Sequence, residues 1–218
     1  MVITIDGPVA SGKSTAAKNL AAALAFRHFD TGAIYRAVTL LALEARVDAS
    51  DGARVRELLE GADIAADSSR VRLSGRDVSD EIRTPAVTAA VRPFAENIDV
   101  RRFVNAFAQR FTDGRNVVVE GRDMGTVVFP DASLKIYLTA SDEERARRRW
   151  EELKLRGTPQ EFDDVLAALR NRDEADRTRE VAPLKVPEGA VVVDSTGWSE
   201  AETKAKLFEI AGERLKGL

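Results

Sequence analysis

The sequence predicts an α/β fold built on a doubly wound, five-stranded parallel sheet, and three observations predict it. Short apolar runs recur at residues 2–6, 26–30, 117–120, 134–138 and 190–193. Between them lie stretches whose apolar residues repeat at helical spacing. Runs such as Val117-Val118-Val119 are apolar at every position, as strands covered by helices on both faces must be. In such sheets the working residues sit just past the carboxyl ends of the strands.

The first strand runs directly into Gly7-Pro8-Val9-Ala10-Ser11-Gly12-Lys13-Ser14-Thr15. This is the P-loop pattern G-x-x-x-x-G-K-[ST], placed between a strand and a helix, where its chemistry requires it. Gly7 and Gly12 let the backbone curl, so that successive N–H groups point at one anionic phosphate. Lys13 reaches the outer phosphates of a nucleoside triphosphate, and the Ser14 hydroxyl is the expected ligand for Mg2+. The helix behind them adds its positive end. Residues 7–15 are therefore the expected binding site for ATP.

The helix after this loop carries Ala17, Leu20, Ala21 and Leu24 on one face, and the second strand ends at Asp30. Thr31 opens a second helix with Ile34, Val38, Leu41 and Ala45 on one side. Residues 64–78 then alternate apolar and polar around Ser/Gly turns, which predicts a small antiparallel β insert. Helical spacing resumes over residues 85–91, is expected to break or kink at Pro93, and returns with Val100, Phe103, Val104, Phe107 and Phe111. Residues 60–111 are thus read as a subdomain inserted between the second and third core strands. The third strand ends Val119-Glu120-Gly121-Arg122-Asp123, and a basic residue at that point fits a second anion better than a metal.

Beyond the fourth strand, Ser141/Glu144 and Ser199/Glu202 have the spacing of capping boxes. The helix after Ser141 carries Arg145, Arg147, Arg148 and Arg149. A break at Gly157-Thr158-Pro159 precedes a helix with Phe162, Val165, Leu166 and Leu169. Helix, break and helix over about residues 146–179 is the expected shape of a lid. The core is left with residues 1–59, 112–145 and 180–218.

Composition narrows the function. A net charge of −3 leaves no basic excess for a general nucleic-acid binder. The lack of cysteine removes disulfides and thiolate metal sites, and His28, the only histidine, is read as a surface or packing residue. No run of eighteen apolar residues argues for a membrane partner, and Met1 leads straight into the first strand with no leader. A monomer in the cytoplasm is expected. GTPases carry an N-K-x-D base motif, which the chain lacks. Arginines recur instead at the expected sheet edge and lid: Arg36, Arg101, Arg122, Arg148, Arg149, Arg172 and Arg179. Guanidinium forks match phosphate oxygens, and transfer between two polyanions needs many of them. Arg172, Asp176 and Arg179 stand at i, i+4, i+7 and share one face if that segment is helical.

Three stretches carry a resemblance. Asp30-Thr-Gly-Ala-Ile-Tyr-Arg36, Glu120-Gly-Arg-Asp-Met-Gly-Thr-Val-Val-Phe-Pro130 and Arg172-Asp-Glu-Ala-Asp-Arg-Thr-Arg-Glu-Val-Ala-Pro-Leu184, taken with the P-loop, resemble the bacterial cytidylate kinases. The resemblance runs over essentially the whole chain. It implies a P-loop kinase whose insert, residues 60–111, binds the monophosphate. It implies that Arg36, Arg122 and Arg179 meet the phosphate of the acceptor, and Asp30 and Thr31 are counted among the substrate-binding residues. Asp123 and Arg101 would recognise cytosine, Arg172 and Asp176 the ribose, and Arg148 and Arg149 the donor phosphates. Arg92 stands where the family commonly has a base-recognising serine, so it joins the substrate-binding candidates. Lys13, Arg122, Arg148 and Arg149 are the catalytic candidates. The implied reaction is Mg2+-dependent transfer from ATP to CMP or dCMP. The residues leave open another small-molecule kinase, acting on UMP or AMP, and a nucleotide switch with no transfer.

Overall fold

The computed structural model describes residues 1–155 and 157–215. The elements follow as β1 (Val2–Asp6), α1 (Lys13–Leu24), β2 (Arg27–Asp30), α2 (Thr31–Glu44), α3 (Gly52–Glu60), β3 (Ile64–Ala66), β4 (Val71–Leu73), β5 (Arg76–Asp77), α4 (Pro85–Glu96) and α5 (Ile98–Thr112). After them come β6 (Val117–Gly121), β7 (Leu134–Thr139), α6 (Asp142–Leu155), α7 (Phe162–Thr178), β8 (Val191–Asp194) and α8 (Glu200–Arg214). The main sheet has the strand order β2-β6-β1-β7-β8, and a second, three-stranded sheet has the order β3-β4-β5. β1 pairs in parallel with β6 and β7, and β8 pairs in parallel with β7. Register sets Asp6 opposite Gly121 on one side and Tyr137 on the other, so the loops after β1, β6 and β7 leave the sheet at the same edge.

The chain forms two compact units, one of Met1–Phe26 with Asn116–Leu218 and one of Arg27–Arg115. In the first, Ile3, Ile5, Val118, Leu134, Ile136 and Leu138 bury against Ala16, Ala17, Leu20 and Ala21 of α1 and Leu207 and Ile210 of α8. The small residues of α1 let the helix lie close to the sheet. A separate cluster, Ala146, Leu153, Val165 and Leu169, joins α6 to α7 and takes in Val9 and Ala10.

In the second unit, Val71 and Leu73 of β4 pack with Ala33 and Ala37 of α2, Val78 and Ile82. Phe29 stacks on Phe111 at 4.5 Å and on Phe107 at 5.8 Å. β3-β4-β5 is the antiparallel insert that residues 64–78 predict. His28 is a packing residue, buried in β2 with its ring beside the Ser68 carbonyl.

Four local expectations change. α3 has no counterpart in the sequence reading. It is short, opens on the Asp51 side chain, which accepts from the Arg54 N–H, and buries only Val55 and Leu59. α4 continues through Pro93 to Glu96, because its buried stripe of Val87, Val91 and Phe94 straddles the proline. Ser199 and Glu202 form a complete capping box, whereas Ser141 forms half of one. Its hydroxyl accepts from the Glu144 N–H, but the Glu144 carboxylate turns to Arg147 and Arg148. α7 ends at Thr178, so Arg172 and Asp176 share a helical face while Arg179 lies just past the end in extended backbone. No helix among the described residues is long and apolar enough to cross a membrane.

Candidate active site

Backbone geometry shapes the loop of residues 7–15. Gly7 has φ +151°, and a Cβ there would come within 2.0 Å of the Leu138 carbonyl oxygen, so the loop leaves β1 pressed against the backbone of β7. Gly12 caps α1 at φ 85°, a left-handed conformation suited to glycine. Lys13 follows at once and is buried. Its Nζ donates to the Pro8 carbonyl at 2.5 Å and to Ser11 Oγ at 3.3 Å. Burial, and after it the neighbouring Arg122, hold the Lys13 ammonium well below its ordinary range. Gly12, Ser14 and Thr15 are exposed at the loop mouth.

Ser14 donates its hydroxyl hydrogen to Glu120 Oε2 at 2.6 Å. Glu120 is buried at the end of β6, directly before the turn that carries Arg122 and Asp123. The strand end that reads as basic in sequence therefore also brings a carboxylate to the expected metal ligand. No cluster of three metal-ligating side chains occurs among the described residues. Mg2+ does not require one, since it takes most of its six oxygens from water and substrate phosphates. Ser14 and Glu120 are hard oxygen donors next to each other, and they fit that ion.

The turn after β6 is held from β1. Asp6 accepts from the Met124 and Gly125 N–H groups, both at 2.8 Å. These are the first two N–H groups of a π-turn over Met124–Val128, so a carboxylate from another strand caps it. Burial raises the Asp6 pKa to about 6, against the lowering by its two backbone donors. In this turn, Arg122 Nε donates to Asp176 Oδ2 at 3.0 Å, and Asp123 is buried with Arg179 Nη2 at 3.5 Å from its carboxylate. Arg179 also donates from Nε to the Ala182 carbonyl at 2.6 Å. Burial, then Arg122, lowers the Arg172 pKa, with Arg149 adding to the effect. Arg122, Asp123, Arg172, Asp176 and Arg179 thus gather at the turn after β6, with Arg122 and Asp176 acting on Lys13.

Arg148 donates to the Ser195 carbonyl at 2.7 Å and to Ser195 Oγ at 3.1 Å, and from Nε to Glu144 at 2.8 Å. Arg149 pairs with Glu152 along its own helix at 2.7 Å. In the second unit, Asp30 caps α2 by accepting from the Ala33 N–H at 3.1 Å, with the Arg83 guanidinium 3.3 Å from its other oxygen. Thr31 is buried in the first turn of α2. Arg36 donates to Thr88 Oγ1 at 2.8 Å, and Arg101 is buried over the Tyr35 ring with Nη1 on the Ala95 carbonyl. Arg92 is different: its side chain is 66% exposed and pairs with Glu96 one turn on.

Sequence reading passed over four buried charges. Asp6 and Glu120 had a signal, a polar residue ending an apolar strand. Asp173 lies inside a noted motif, and Arg145 has no local signal that separates it from Arg147.

A family model described as cytidylate kinase matches residues 3–213. A cytidylate kinase of Caldanaerobacter subterraneus is 45% identical over 99% of this chain and 96% of its own length. A cytidylate kinase of Mycobacterium leprae is 44% identical over 98% of this chain and 96% of its own. Among solved structures, a shikimate kinase of Bacteroides thetaiotaomicron has a TM-score of 0.51 at 13% identity, covering 97% of this chain and 98% of that one; the likeness is one of fold. The phosphate loop, the turn after β6 with its Arg122-Asp123 pair and near-complete matches to two relatives agree, and the chain belongs to the cytidylate kinase family.

Proposed function

We propose that the chain transfers the γ-phosphoryl group of ATP to CMP or dCMP, giving ADP and the pyrimidine diphosphate. The observation that carries this reading is the meeting of Lys13, Arg122 and Arg172 at the loop of residues 7–15: burial, and after it Arg122, lowers the pKa of both Lys13 and Arg172, against the pull of the nearby carboxylates. Like charges held that close repel until anions arrive between them, and a donor and an acceptor phosphate supply those anions.

The acceptor brings its own nucleophile, because the second ionisation of a phosphate monoester lies around 6. No general base is then needed. Residues 7–15 cradle the donor, and Lys13, Arg122, Arg148 and Arg149 stabilise the charge that spreads over the transferred group. Ser14, with Glu120 behind it, would hold Mg2+, which when bound draws negative charge from the donor phosphates. Arg36, Arg122 and Arg179 take the acceptor phosphate, with Asp30 and Thr31 beside it, and Arg172 and Asp176 take the ribose. Cytosine falls to Asp123, whose carboxylate can accept from the exocyclic amine, and to Arg101. Arg92, exposed and paired with Glu96, is the outermost of the substrate-binding candidates. Residues 60–111 serve as the monophosphate-binding insert, and residues 146–179 as a lid that keeps water from the ATP. The protein acts as a cytoplasmic monomer with no nucleic-acid or membrane partner.

A coupled assay of ADP formation tests this. ADP should form fastest with CMP or dCMP, more slowly with UMP or AMP, and not without an acceptor. Equal ADP formation without an acceptor would show hydrolysis instead, and a preference for AMP would move the chain to another acceptor.

A further inference from the structure

Val9 is the third residue of the phosphate loop, and both of its peptide groups are gripped from outside the loop. Its N–H donates to Asp173 Oδ1 at 3.2 Å, and its carbonyl accepts from Arg145 Nη1 at 3.0 Å. Arg145 also donates from Nη1 to Asp173 Oδ2. Its Nη2 reaches Asp142 Oδ1 at 2.5 Å, and its Nε reaches the Ala140 carbonyl at 3.0 Å. Arg145 and Asp173 are 1% and 2% exposed.

Stability alone does not explain such a pair. The cost of taking two ions out of water offsets most of their attraction, and apolar residues of similar volume often hold a fold as well or better. Apolar partners are at hand in Ala146, Leu153, Val165 and Leu169. What apolar side chains cannot do is hold one residue by its N–H and its carbonyl together.

Asp173 lies on α7 between Arg172 and Asp176, and Asp176 receives Arg122. Each residue of an α-helix is fixed to the next by a rise of about 1.5 Å and a turn of about 100°. Anchoring Asp173 to Val9 therefore sets where Arg172 and Asp176 stand relative to Lys13.

We infer that Arg145 and Asp173 are positioning residues that bind the phosphate loop and α7 into one piece, fixing the spacing between the donor's cradle and the acceptor-binding side chains of α7. The inference rests on the kinase reading above. Neither residue needs to touch substrate. Their effect falls on alignment, where an error of about 1 Å can cost a hundredfold in rate.

The test measures kcat and both KM values, with ATP and CMP, in the full-length protein. Asp173→Asn keeps the shape but presents an amide to the Arg145 fork. It should lower kcat at least tenfold while each KM stays within threefold, because the groups that bind substrate are intact. Arg145→Lys serves if Asp173→Asn does not fold. It keeps a cation opposite Asp173 yet cannot span Val9, Asp142 and Asp173 together, and the same split is expected. Arg170→Gln, also on α7, removes an exposed partner of Asp142 and Glu143 of α6 and should change neither constant. Wild-type kcat in a folded Asp173→Asn or Arg145→Lys variant overturns the inference. A rise in both KM values with kcat unchanged overturns it as well. Wild-type protein that fails to turn over CMP would refute the kinase reading instead, and the two failures are separately visible.

Discussion

Lys13 is held by the Pro8 carbonyl and Ser11 inside its own loop, not by the apolar core, so its role is separable from folding. Lys13→Ala should keep the wild-type melting temperature within a few degrees and lose at least about a hundredfold in kcat, the usual cost of one transition-state charge contact. Near-wild-type turnover in that variant would remove the central assignment. Asp123→Ala should reduce kcat/KM for CMP far more than for UMP, since uracil lacks the amine donor and a built acceptor discriminates strongly against its absence. Equal losses for the two substrates would make Asp123 a structural residue. Arg92→Ser should leave the CMP constant unchanged, as its exposed pairing with Glu96 implies. Asp6 gives a pH test. Its pKa rises from 3.8 unfolded to about 6 folded, so the unfolded chain releases this proton first as pH increases. Its contribution to stability is full below about 3.8 and is lost as pH passes through 6, a change of about 3 kcal/mol. Urea unfolding between pH 4 and 7.5 should show that loss in the wild type and not in Asp6→Asn. Parallel curves for the two proteins would refute the assignment.

At the scale of elements, the legible ones were those with a strong period or strong punctuation. α1, α2 and α5 carry full apolar stripes, β1 and β7 are rich in apolar residues, β6 opens on three valines, and the β3-β4-β5 sheet alternates around Ser/Gly turns. What escaped was held by distant partners or by too few residues. α3 buries two apolar side chains, too little for a period to stand out. The π-turn after β6 depends on Asp6, more than a hundred residues upstream. Pro93 reads locally as a stop, but packing on both sides of it carries α4 on. The capping boxes show the same divide, since identical spacing gives a complete box only where no arginine competes for the glutamate. Ser199→Ala should therefore cost about 1 kcal/mol and lower the melting temperature by a few degrees. Ser141→Ala should cost less, and the reverse order would show that the reciprocal bond adds nothing. Trp150 would report on the proposed lid: its Nε1 donates to the Gln160 carbonyl at 2.9 Å and its ring meets Phe162 edge-on. In a Trp198→Phe background, ATP and CMP together should shift Trp150 emission more than either alone. An unchanged spectrum with both bound would argue against lid movement.

At the scale of the whole molecule, the sequence disclosed the chemistry better than the framework beneath it. Residues 7–15 and the arginine motifs announce phosphate because their types and spacings are specific. Arg145 and Asp173 do not, since burial turns an ordinary charge into a structural one and no local pattern records burial. That framework has a consequence for how the molecule comes into being. β1 is made first, yet Val2 aligns with Val117 and Ile3 with Leu134, and the Val9 N–H finds its acceptor 164 residues later. The unit Arg27–Arg115 is continuous in the chain, whereas the unit holding the phosphate loop is split around it. At roughly 5–20 residues per second of synthesis, the loop emerges many seconds before its partners exist. Contacts so distant in sequence also form slowly. The loop of residues 7–15 therefore matures late, although its residues are translated well before their partners. On dilution from urea, helical signal should return before ATP binding does, and ATP binding that recovered with the earliest signal would contradict this order.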